Sequence, residues 1–278
     1  MTVVSFATSA PELFVSLQAV LDGSNDIAFG NVIGSNIANI TLVLGVTALI
    51  FRMKISEQTI TLNYPILLLS SLVFGGVLYF FGGVPQSIGF LFIFLLLVFV
   101  WMLIRKSRKD NLKAATDENE LLEESSDDSL IKSLGFLIVG IILLKFGADY
   151  LVDGTIAIAK KFEISERVIA VTVVAIGTSI PELATSIVAA LKKEHNLAIG
   201  NLIGSNIFNI LAVLGVAASV KEITIADSAI LSFDYVWMII ITFVLGFFIY
   251  TFSKRQISRV EGVFLLLIYI SYLYFSIY

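Results

Sequence analysis

Long runs of apolar residues alternate with short polar or Gly/Pro-containing segments along the chain of 278 residues. Because a helix that crosses a membrane needs about 20 mostly apolar residues, each run of that length predicts one span. The predicted spans are residues 2–21, 28–50, 59–81, 86–104, 131–151, 166–191, 197–218, 229–251 and 260–277. We therefore expect an all-α, polytopic membrane protein with about nine transmembrane helices.

One connection, residues 106–130, is longer than the others, and its acidic run over residues 117–128 is typical of a soluble, disordered spacer. Cytoplasmic loops of membrane proteins carry an excess of Lys and Arg. Most of these residues, including Arg52, Lys54, Arg105, Lys192 and Arg255, fall in one set of alternate loops, and only Lys160, Lys161, Arg167 and Lys221 fall in the other. We therefore predict that the acidic linker is cytoplasmic, that Met1 starts inside, and that the C-terminal Tyr278 lies outside.

Composition supports a membrane protein and excludes several functional classes. Hydrophobic residues make up 58% of the chain and charged residues 14%, against roughly 45–50% and about 25% in soluble domains. The net charge of −4 and the scattered Lys and Arg leave no basic face for nucleic acid. The absence of cysteine excludes disulfides, zinc fingers and thiol catalysis, and the single His195 argues against a His-based metal site or a Ser-His triad.

The chain contains an internal repeat. Residues 3–46 (VVSFATSAPELFVSLQAVLDGSNDIAFGNVIGSNIANITLVLGV) match residues 173–216 (VVAIGTSIPELATSIVAALKKEHNLAIGNLIGSNIFNILAVLGV) at a constant offset of 170 positions without a gap. Five predicted spans separate equivalent residues, so the two copies have opposite orientations in the bilayer. Inverted repeats of broken helices around a midplane site are typical of secondary transporters. We therefore divide the chain into a first repeat (residues 1–105), the acidic linker (106–130) and a second repeat (131–278).

Each copy places the motif T-S-x-P-E near the middle of an apolar span, with Glu12 in the first copy and Glu182 in the second. A carboxylate at that depth costs at least about 2.5–3.5 kcal/mol on insertion scales, so it needs a cation or a proton. The proline removes one backbone N–H and frees a carbonyl about one turn earlier. The threonine and serine lie on the helix face of the glutamate; they are Thr8 and Ser9 in the first copy, and Thr178 and Ser179 in the second.

A second motif, G-N-x-I-G-S-N-I-x-N-I, also occurs in both copies. It supplies Ser35 with Asn39 and Ser205 with Asn209, and each pair is four residues apart, so it shares a helix face. The glycines have the GxxxG spacing that predicts close helix packing. Together the motifs offer carboxylates, hydroxyls, amides and carbonyls, an all-oxygen set that suits Ca²⁺ or Na⁺ better than Zn²⁺ or Cu²⁺.

At these motifs the sequence resembles the cation/Ca²⁺ exchanger superfamily, and most closely its prokaryotic sodium/calcium antiporters. ATSAPE with GNVIGSNIAN, and GTSIPE with GNLIGSNIFN, are similar to its α-1 and α-2 repeats, and the resemblance covers essentially the whole chain. It implies that Glu12 and Glu182 are the principal Ca²⁺ ligands. It further implies that the Ca²⁺ and Na⁺ sites are completed by Thr8, Ser9, Ser35, Asn39, Thr178, Ser179, Ser205 and Asn209, with backbone carbonyls near Ser5 and Ala175.

Three departures from the family pattern are visible. Some members carry Asp where this chain has Asn209, and Ala7 stands where the second copy has Gly177. In the family a long helix precedes each repeat; residues 134–170 resemble the second of these helices, whereas the first would fall before Met1. We therefore expect a ten-helix antiporter fold without its first helix. Because the two long helices are thought to slide together during transport, such a chain would bind cations and transport them poorly.

The predicted function is secondary active antiport, in which Na⁺ is exchanged for Ca²⁺ by alternating access and the two ions compete for the same glutamates. A Ca²⁺/H⁺ exchanger on the same fold is the nearest alternative, and a K⁺ requirement stays open. An intramembrane hydrolase would need a nucleophile or a metal-bound water, and inverted repeats favour alternating access over a passive channel. We expect no enzyme activity, no cofactor and no nucleic-acid partner, and a monomer in the cell membrane that transports Ca²⁺ and Na⁺.

Overall fold

The structure, a computed structural model, describes residues 2–114, 130–252 and 255–277, and these ranges are almost entirely helical. The α-helices are α1 (Thr2–Thr8), α2 (Ala10–Asp22), α3 (Asn25–Ala38), α4 (Leu44–Ile50), α5 (Tyr64–Phe81), α6 (Gln86–Ala114), α7 (Leu130–Phe162), α8 (Glu166–Ile169), α9 (Ala175–Thr178), α10 (Ile180–Leu191), α11 (His195–Phe208), α12 (Leu214–Val220), α13 (Val236–Phe247) and α14 (Arg259–Ile277). Short π-helical segments lie at Asn39–Val43, Thr59–Asn63, Ala170–Val174, Asn209–Val213, Ile230–Tyr235 and Phe248–Phe252. They join several of the α-helices into longer continuous helices.

Within the described ranges, seven helical segments are long and apolar enough to cross a membrane. They are Asn25–Ile50, Thr59–Phe81, Gln86–Lys106, Glu166–Leu191, Ala198–Val220, Ile230–Thr251 and Arg259–Ile277, and each coincides with a predicted span. The other two predicted spans fall on α1 and α2, which are interrupted at Ser9, and on α7. The all-α, polytopic architecture is thus confirmed, and the number of nine spans stays a prediction.

Two helices extend further than the apolar runs suggest. α6 continues past its predicted end at residue 104 to Ala114, so the first part of the predicted linker is helical. Basic residues near the end of a helix are stabilised by the helix dipole, which favours this extension. α7 continues past residue 151 to Phe162, and on it Lys145 pairs with Asp149 at 3.1 Å. The acidic run at residues 117–128 lies outside the described residues.

Two helices are interrupted at a T-S-x-P-E motif: the first broken helix is α1 with α2, and the second broken helix is Glu166–Leu191, which contains α9 and α10. Each broken helix packs against the opposite repeat. The first-repeat helix α1 contacts α11 of the second repeat, and the first-repeat helix α3 contacts α9 and the π-helical segment Ala170–Val174. Further out, α4 packs on α14 and α6 packs on α12, again one helix from each repeat. The outer contacts are tight at Gly45 beside Gly262 and at Gly215 beside Gly89, where a Cβ on the first glycine of each pair would lie 3.1 and 3.3 Å from the other's carbonyl oxygen. Equivalent helices of the two repeats therefore make equivalent contacts with the opposite repeat.

Two short antiparallel ribbons link loops of the two repeats. The strand β1 (Met53–Lys54) pairs with β4 (Gln256–Ile257), and β2 (Gly83–Val84) pairs with β3 (Ile223–Thr224). The distribution of Lys and Arg assigns the two loops of the first ribbon to one side of the membrane and those of the second ribbon to the other side. The loops that are predicted to share a side are therefore the ones that contact each other.

The interior of the bundle contains many buried polar side chains among its apolar ones, and its surface is apolar. In the middle of α3, Asn31, Ser35 and Asn36 are fully buried, whereas on α6 the rings of Phe90 and Phe94 are 61% and 60% exposed. This is the reverse of a soluble protein, in which large apolar patches on the surface are rare. This distribution of buried polar and exposed apolar side chains is expected for a protein whose surface faces lipid and whose centre binds a polar solute.

Arg167, which the predicted spans place at the very start of span 166–191 and the Lys and Arg count treats as a loop residue, is 8% exposed and forms a buried ion pair at the start of α8. Its Nη1 donates to both carboxylate oxygens of Asp234, at 2.9 and 2.8 Å, and its Nε lies 3.2 Å from Asp227 Oδ2. The hydroxyl of Tyr272 donates to Asp234 Oδ1 at 3.0 Å. The ion pair therefore connects the start of the second broken helix, at α8, to the π-helical segment that contains Asp234. Through Tyr272, it also connects α8 to α14.

Replacing Asp234 with Ala should destabilise the fold strongly, because removing one partner leaves Arg167 buried and incompletely paired. The expected cost is about 3–5 kcal/mol, measured as a lower midpoint of thermal unfolding in detergent. Asp149→Ala is the matched control, because it breaks the more exposed pair with Lys145 and should cost less than about 1 kcal/mol. Equal, small shifts in both variants would contradict a structural role for the buried pair.

Candidate cation site

Both T-S-x-P-E motifs lie where a helix is interrupted. Ser9 separates α1 from α2 with φ −86° and ψ 6°, and Ser179 separates α9 from α10 with φ −82° and ψ 0°. The motif proline then occupies the first turn of the following helix, where its missing N–H removes no helical hydrogen bond. As a result Glu12 and Glu182 stand in the first turns of α2 and α10, where the helix dipole favours negative charge.

The two glutamates are fully buried and close enough for their charges to interact. Glu182 Oε1 accepts hydrogen bonds from Ser9 at 3.4 Å and from Ser205 at 3.3 Å. Among the described residues, Glu182 Oε2 and both carboxylate oxygens of Glu12 have no hydrogen-bond partner, and no third Asp, Glu or His joins them. Two buried like charges with unsatisfied oxygens require a cation or a proton between them.

Hydroxyls of both repeats surround the carboxylates. Thr8 Oγ1 lies 3.4 Å from Ser205 Oγ, and Ser35 Oγ lies 3.2 Å from Thr178 Oγ1. These two contacts are equivalent under the repeat, because each joins a T-S-x-P-E motif to the second motif of the other copy. The hydroxyl of Ser179 is buried and lacks a partner within the described structure. All of the predicted hydroxyl ligands except that of Ser179 therefore contact one another or Glu182, and neither repeat supplies the cluster alone.

The predicted carbonyl ligands are engaged in helical hydrogen bonds. The carbonyl of Ser5 accepts from Ser9 N at 3.0 Å, and that of Ala175 accepts from Ser179 N at 3.1 Å. Each also accepts the hydroxyl of the motif threonine at 3.4 Å. A cation at either carbonyl would therefore have to displace the long hydrogen bond from the threonine.

The amides of Asn39 and Asn209 are fully buried, and the π-helical segments that they begin contact α10 and α2, the helices that carry Glu182 and Glu12. Asn39 Nδ2 donates to Asn206 Oδ1 at 3.0 Å, and Asn209 Nδ2 donates to Asn36 Oδ1 at 3.2 Å. The carbonyl oxygens of Asn39 and Asn209 have no partner in the described part of the chain. Each begins a π-helical segment, a distortion that is frequent at functional sites. Both predicted amide ligands thus have an oxygen available for a cation.

Four further asparagines of the second motif support the site, although the spacing argument does not identify them. Asn36 and Asn206 bind the predicted amide ligands, as described above. Asn31 Nδ2 donates to the carbonyl of Glu12 at 3.2 Å, and Asn201 Oδ1 accepts the hydroxyl of Ser5 at 2.9 Å. The sequence signal was present, because each is an amide in an apolar span and each is identical in both copies.

The GxxxG glycines are packing residues, as the spacing predicts. A Cβ on Gly34 would lie 2.7 Å from Ala175 Cβ and 2.9 Å from Val171 Cα, and a Cβ on Gly30 would lie 2.6 Å from Ala170 Cβ. These are backbone and first side-chain atoms that cannot move aside. The absence of side chains therefore lets α3 approach the second broken helix closely enough for Ser35 to reach Thr178.

The buried oxygens of two carboxylates, several hydroxyls and two amides form a site for a hard cation. The chemistry agrees with the family comparison, in which the sequence model described as "Sodium/calcium exchanger protein" matches residues 1–105 and 132–278. The chain belongs to the sodium/calcium exchanger family. Similar sequences include the inner membrane protein YrbG of Escherichia coli, 38% identical over 88% of this chain and 75% of its own length. The sodium/calcium exchanger MaX1 of Methanosarcina acetivorans is 30% identical over 98% of this chain and 86% of its own.

Solved exchanger structures share the fold. A structure of the sodium-calcium exchanger NCX_Mj soaked with Na⁺ and Sr²⁺ superposes with a TM-score of 0.70 at 30% identity, covering 97% of this chain and 83% of that one. The predicted resemblance is confirmed. The protein is a multi-pass membrane antiporter of the sodium/calcium exchanger family that acts on cations including Ca²⁺, and it is a transporter and not an enzyme. The hydrolase alternative is thereby excluded.

Replacing Gly34 with Ala should weaken Ca²⁺ binding, because the added methyl group forces α3 away from the second broken helix. Overpacking of this kind costs about 1–3 kcal/mol, which corresponds to roughly a 5- to 150-fold loss if it falls wholly on binding. Gly177→Ala is the matched control, since a Cβ there meets nothing within 4 Å and the equivalent position already carries Ala7. Equilibrium ⁴⁵Ca²⁺ binding to both purified variants measures the difference, and equal affinities would contradict the packing role.

Proposed function

We propose that this protein exchanges Na⁺ for Ca²⁺ by alternating access, with both ions bound at the cluster around Glu12 and Glu182. The observation that carries the proposal is the pair of fully buried carboxylates with unsatisfied oxygens in a site made only of oxygen ligands. Ca²⁺ commonly takes six to eight oxygen ligands from carboxylates, amides and carbonyls. The cluster offers ligands of those types from both repeats.

Competition for the glutamates couples the two ions. Their two formal negative charges can be neutralised by one Ca²⁺ or by several Na⁺, but the same oxygens cannot hold both loads at once. An empty site would expose two buried negative charges to a change of surroundings, which is costly in a membrane. Occupation by either load removes that penalty, so the change of access follows binding. Ions are then exchanged and do not leak.

The cation ligands are the motif side chains that the structure brings together. Glu12 and Glu182 are the principal Ca²⁺ ligands. The remaining ligands for Ca²⁺ and Na⁺ come from Thr8, Ser9, Ser35, Asn39, Thr178, Ser179, Ser205 and Asn209, with the carbonyls of Ser5 and Ala175 available once the threonine hydroxyls move. Asn209 carries no charge, so the charge that the cations must balance belongs to the two glutamates.

Glu12→Gln or Glu182→Gln should each abolish Na⁺-gradient-driven ⁴⁵Ca²⁺ uptake into proteoliposomes, because each removes one of the two charges that hold the ions. We expect less than about a tenth of the unmodified rate, since losing a buried charge partner costs more than the 1.4 kcal/mol that a factor of ten represents. Glu57→Gln is the matched control, because that side chain is 74% exposed, and uptake should be unchanged. Undiminished Ca²⁺ uptake in both the Glu12 and the Glu182 variant would contradict the proposal.

Ca²⁺/H⁺ exchange is the second candidate, and one observation favours it. Neither oxygen of Glu12 accepts a hydrogen bond of good geometry within the described residues, so a proton is one way to neutralise this carboxylate when the cation leaves. Uptake driven by a pH gradient without Na⁺, compared with uptake driven by a Na⁺ gradient at equal pH, separates the two functions. Uptake under the Na⁺ gradient alone supports the first candidate, and uptake under the pH gradient alone replaces it.

The orientation in the membrane follows from the Lys and Arg distribution and is supported by the ribbons. We infer that β1 and β4 face the cytoplasm, together with the linker, and that β2, β3 and the C-terminus face outward.

Single cysteines test this orientation cleanly, because the chain contains none of its own. Thr224→Cys, on β3, should react with an impermeant maleimide in intact cells. Lys54→Cys, on β1, should react only after the membrane is opened, and both positions are exposed. The reverse pattern would contradict the charge rule, and labelling of both from the same side would contradict the assignment of the two ribbons to opposite faces.

A further inference from the structure

Four asparagine amides form a continuous hydrogen-bonded cluster where α3 and α11 meet. Asn39 donates to Asn206 Oδ1 at 3.0 Å, and Asn206 Nδ2 in turn donates to the backbone carbonyl of Asn36 at 3.1 Å. Asn209 donates to Asn36 Oδ1 at 3.2 Å, and Asn36 Nδ2 lies 3.7 Å from the sulfur of Met238. All four amides are buried, so water cannot replace these partners.

The direction of donation in the cluster matters for cation binding. The oxygen and nitrogen of a primary amide have nearly the same size, so only hydrogen bonding decides which of them faces a given neighbour. An amide oxygen binds a cation, whereas the NH₂ group carries donors only and repels it. In this structure Asn39 and Asn209 give their NH₂ groups to the opposite repeat, and their oxygens have no partner among the residues that the structure describes.

Asn206 is itself held in one orientation. Its NH₂ group is used by the carbonyl of Asn36, which leaves its oxygen as the only group that can face Asn39. If the Asn39 amide rotated, its oxygen would meet the oxygen of Asn206, and two buried acceptors would lie without a donor between them. In the other half of the cluster Asn36 accepts from Asn209 through its oxygen, while its own NH₂ group faces the sulfur of Met238, a weaker acceptor than the carbonyl that holds Asn206.

We propose that Asn36 and Asn206 are positioning residues that fix the amides of Asn209 and Asn39, respectively, with their carbonyl oxygens available to the transported cation. The proposal rests on the proposed cation site, because it concerns the ligands of that site. It differs from a packing role, since each positioning residue acts on a ligand that the other repeat supplies. Two asparagines of each repeat therefore have different tasks: one contacts the ion and the other orients the partner's ligand.

A double-mutant cycle on Asn206 and Asn39 tests this assignment. Asn206→Leu keeps the branched shape and removes the acceptor, and it should weaken ⁴⁵Ca²⁺ binding to the purified chain about 10- to 100-fold, the usual range for a residue that orients a metal ligand. Asn39→Leu should weaken it comparably. The double variant should bind no more weakly than Asn39→Leu alone, because no amide is left to orient. If the fold loss in Ca²⁺ affinity of the double variant equals the product of the two single losses, the positioning role is overturned.

Two controls make the result decisive. Thr41→Val removes a buried hydroxyl that bonds only within its own helix, to the carbonyl of Ile37 at 2.6 Å, and it should leave Ca²⁺ affinity unchanged. A loss there equal to that of Asn206→Leu would show that any polar deletion in this region weakens binding, and it would overturn the proposal. If Asn206→Leu does not fold, the reciprocal cycle on Asn36 and Asn209 must show the same non-additivity.

Failure of this inference is distinguishable from failure of the proposed function. If the unmodified chain binds no Ca²⁺ in equilibrium dialysis, the proposed site is wrong and the positioning role falls with it. If it binds Ca²⁺ and Asn206→Leu binds equally well, only the positioning role is wrong.

Discussion

Two carboxylates at the centre of a lipid-facing bundle constrain the rest of this structure. Neither Glu12 nor Glu182 can be solvated by water from its buried position, so the protein must supply partners or an ion must. The broken helices place both glutamates in the first turn after a proline, where the helix dipole offsets part of the cost. The hydroxyls and amides around them are weak ligands individually, and they leave the carboxylates unsatisfied. This deficit makes the site suitable for a cation that binds and leaves.

Both repeats contribute side chains to the site, and the side chains of one repeat contact those of the other. The T-S-x-P-E motif of one copy contacts the second motif of the other, as Thr8 with Ser205 and Ser35 with Thr178 illustrate. Glycines make the crossing possible, because a Cβ on Gly34 would collide with the second broken helix. A displacement of one repeat relative to the other would therefore change the contacts between the two motifs directly. In the proposed function, this geometry links ion binding to movement.

Much of this arrangement could be predicted from the sequence, because the membrane enforces long apolar runs and the duplication marks the polar residues that matter within them. The buried pair of Arg167 with Asp234 could not, since an arginine at the end of an apolar run is also what a loop would contain. The orienting role of Asn36 and Asn206 was also hidden. Both stand out as repeated amides, but their hydrogen bonds join residues about 170 positions apart, and periodicity within one helix carries no information about such partners.

The two half-sites have the same chemistry and different contacts. Ser9 and Ser205 donate to Glu182, whereas the equivalent Ser179 has no partner in the described structure and Ser35 bonds to Thr178 instead of Glu12. Because the same residue types are available to both glutamates, composition does not account for this asymmetry, and conformation must. In inverted repeats, exchange of conformation between the copies is what converts one access state into the other. The unequal hydrogen bonding of the two similar motifs is the asymmetry that the proposed alternating access requires of a single access state.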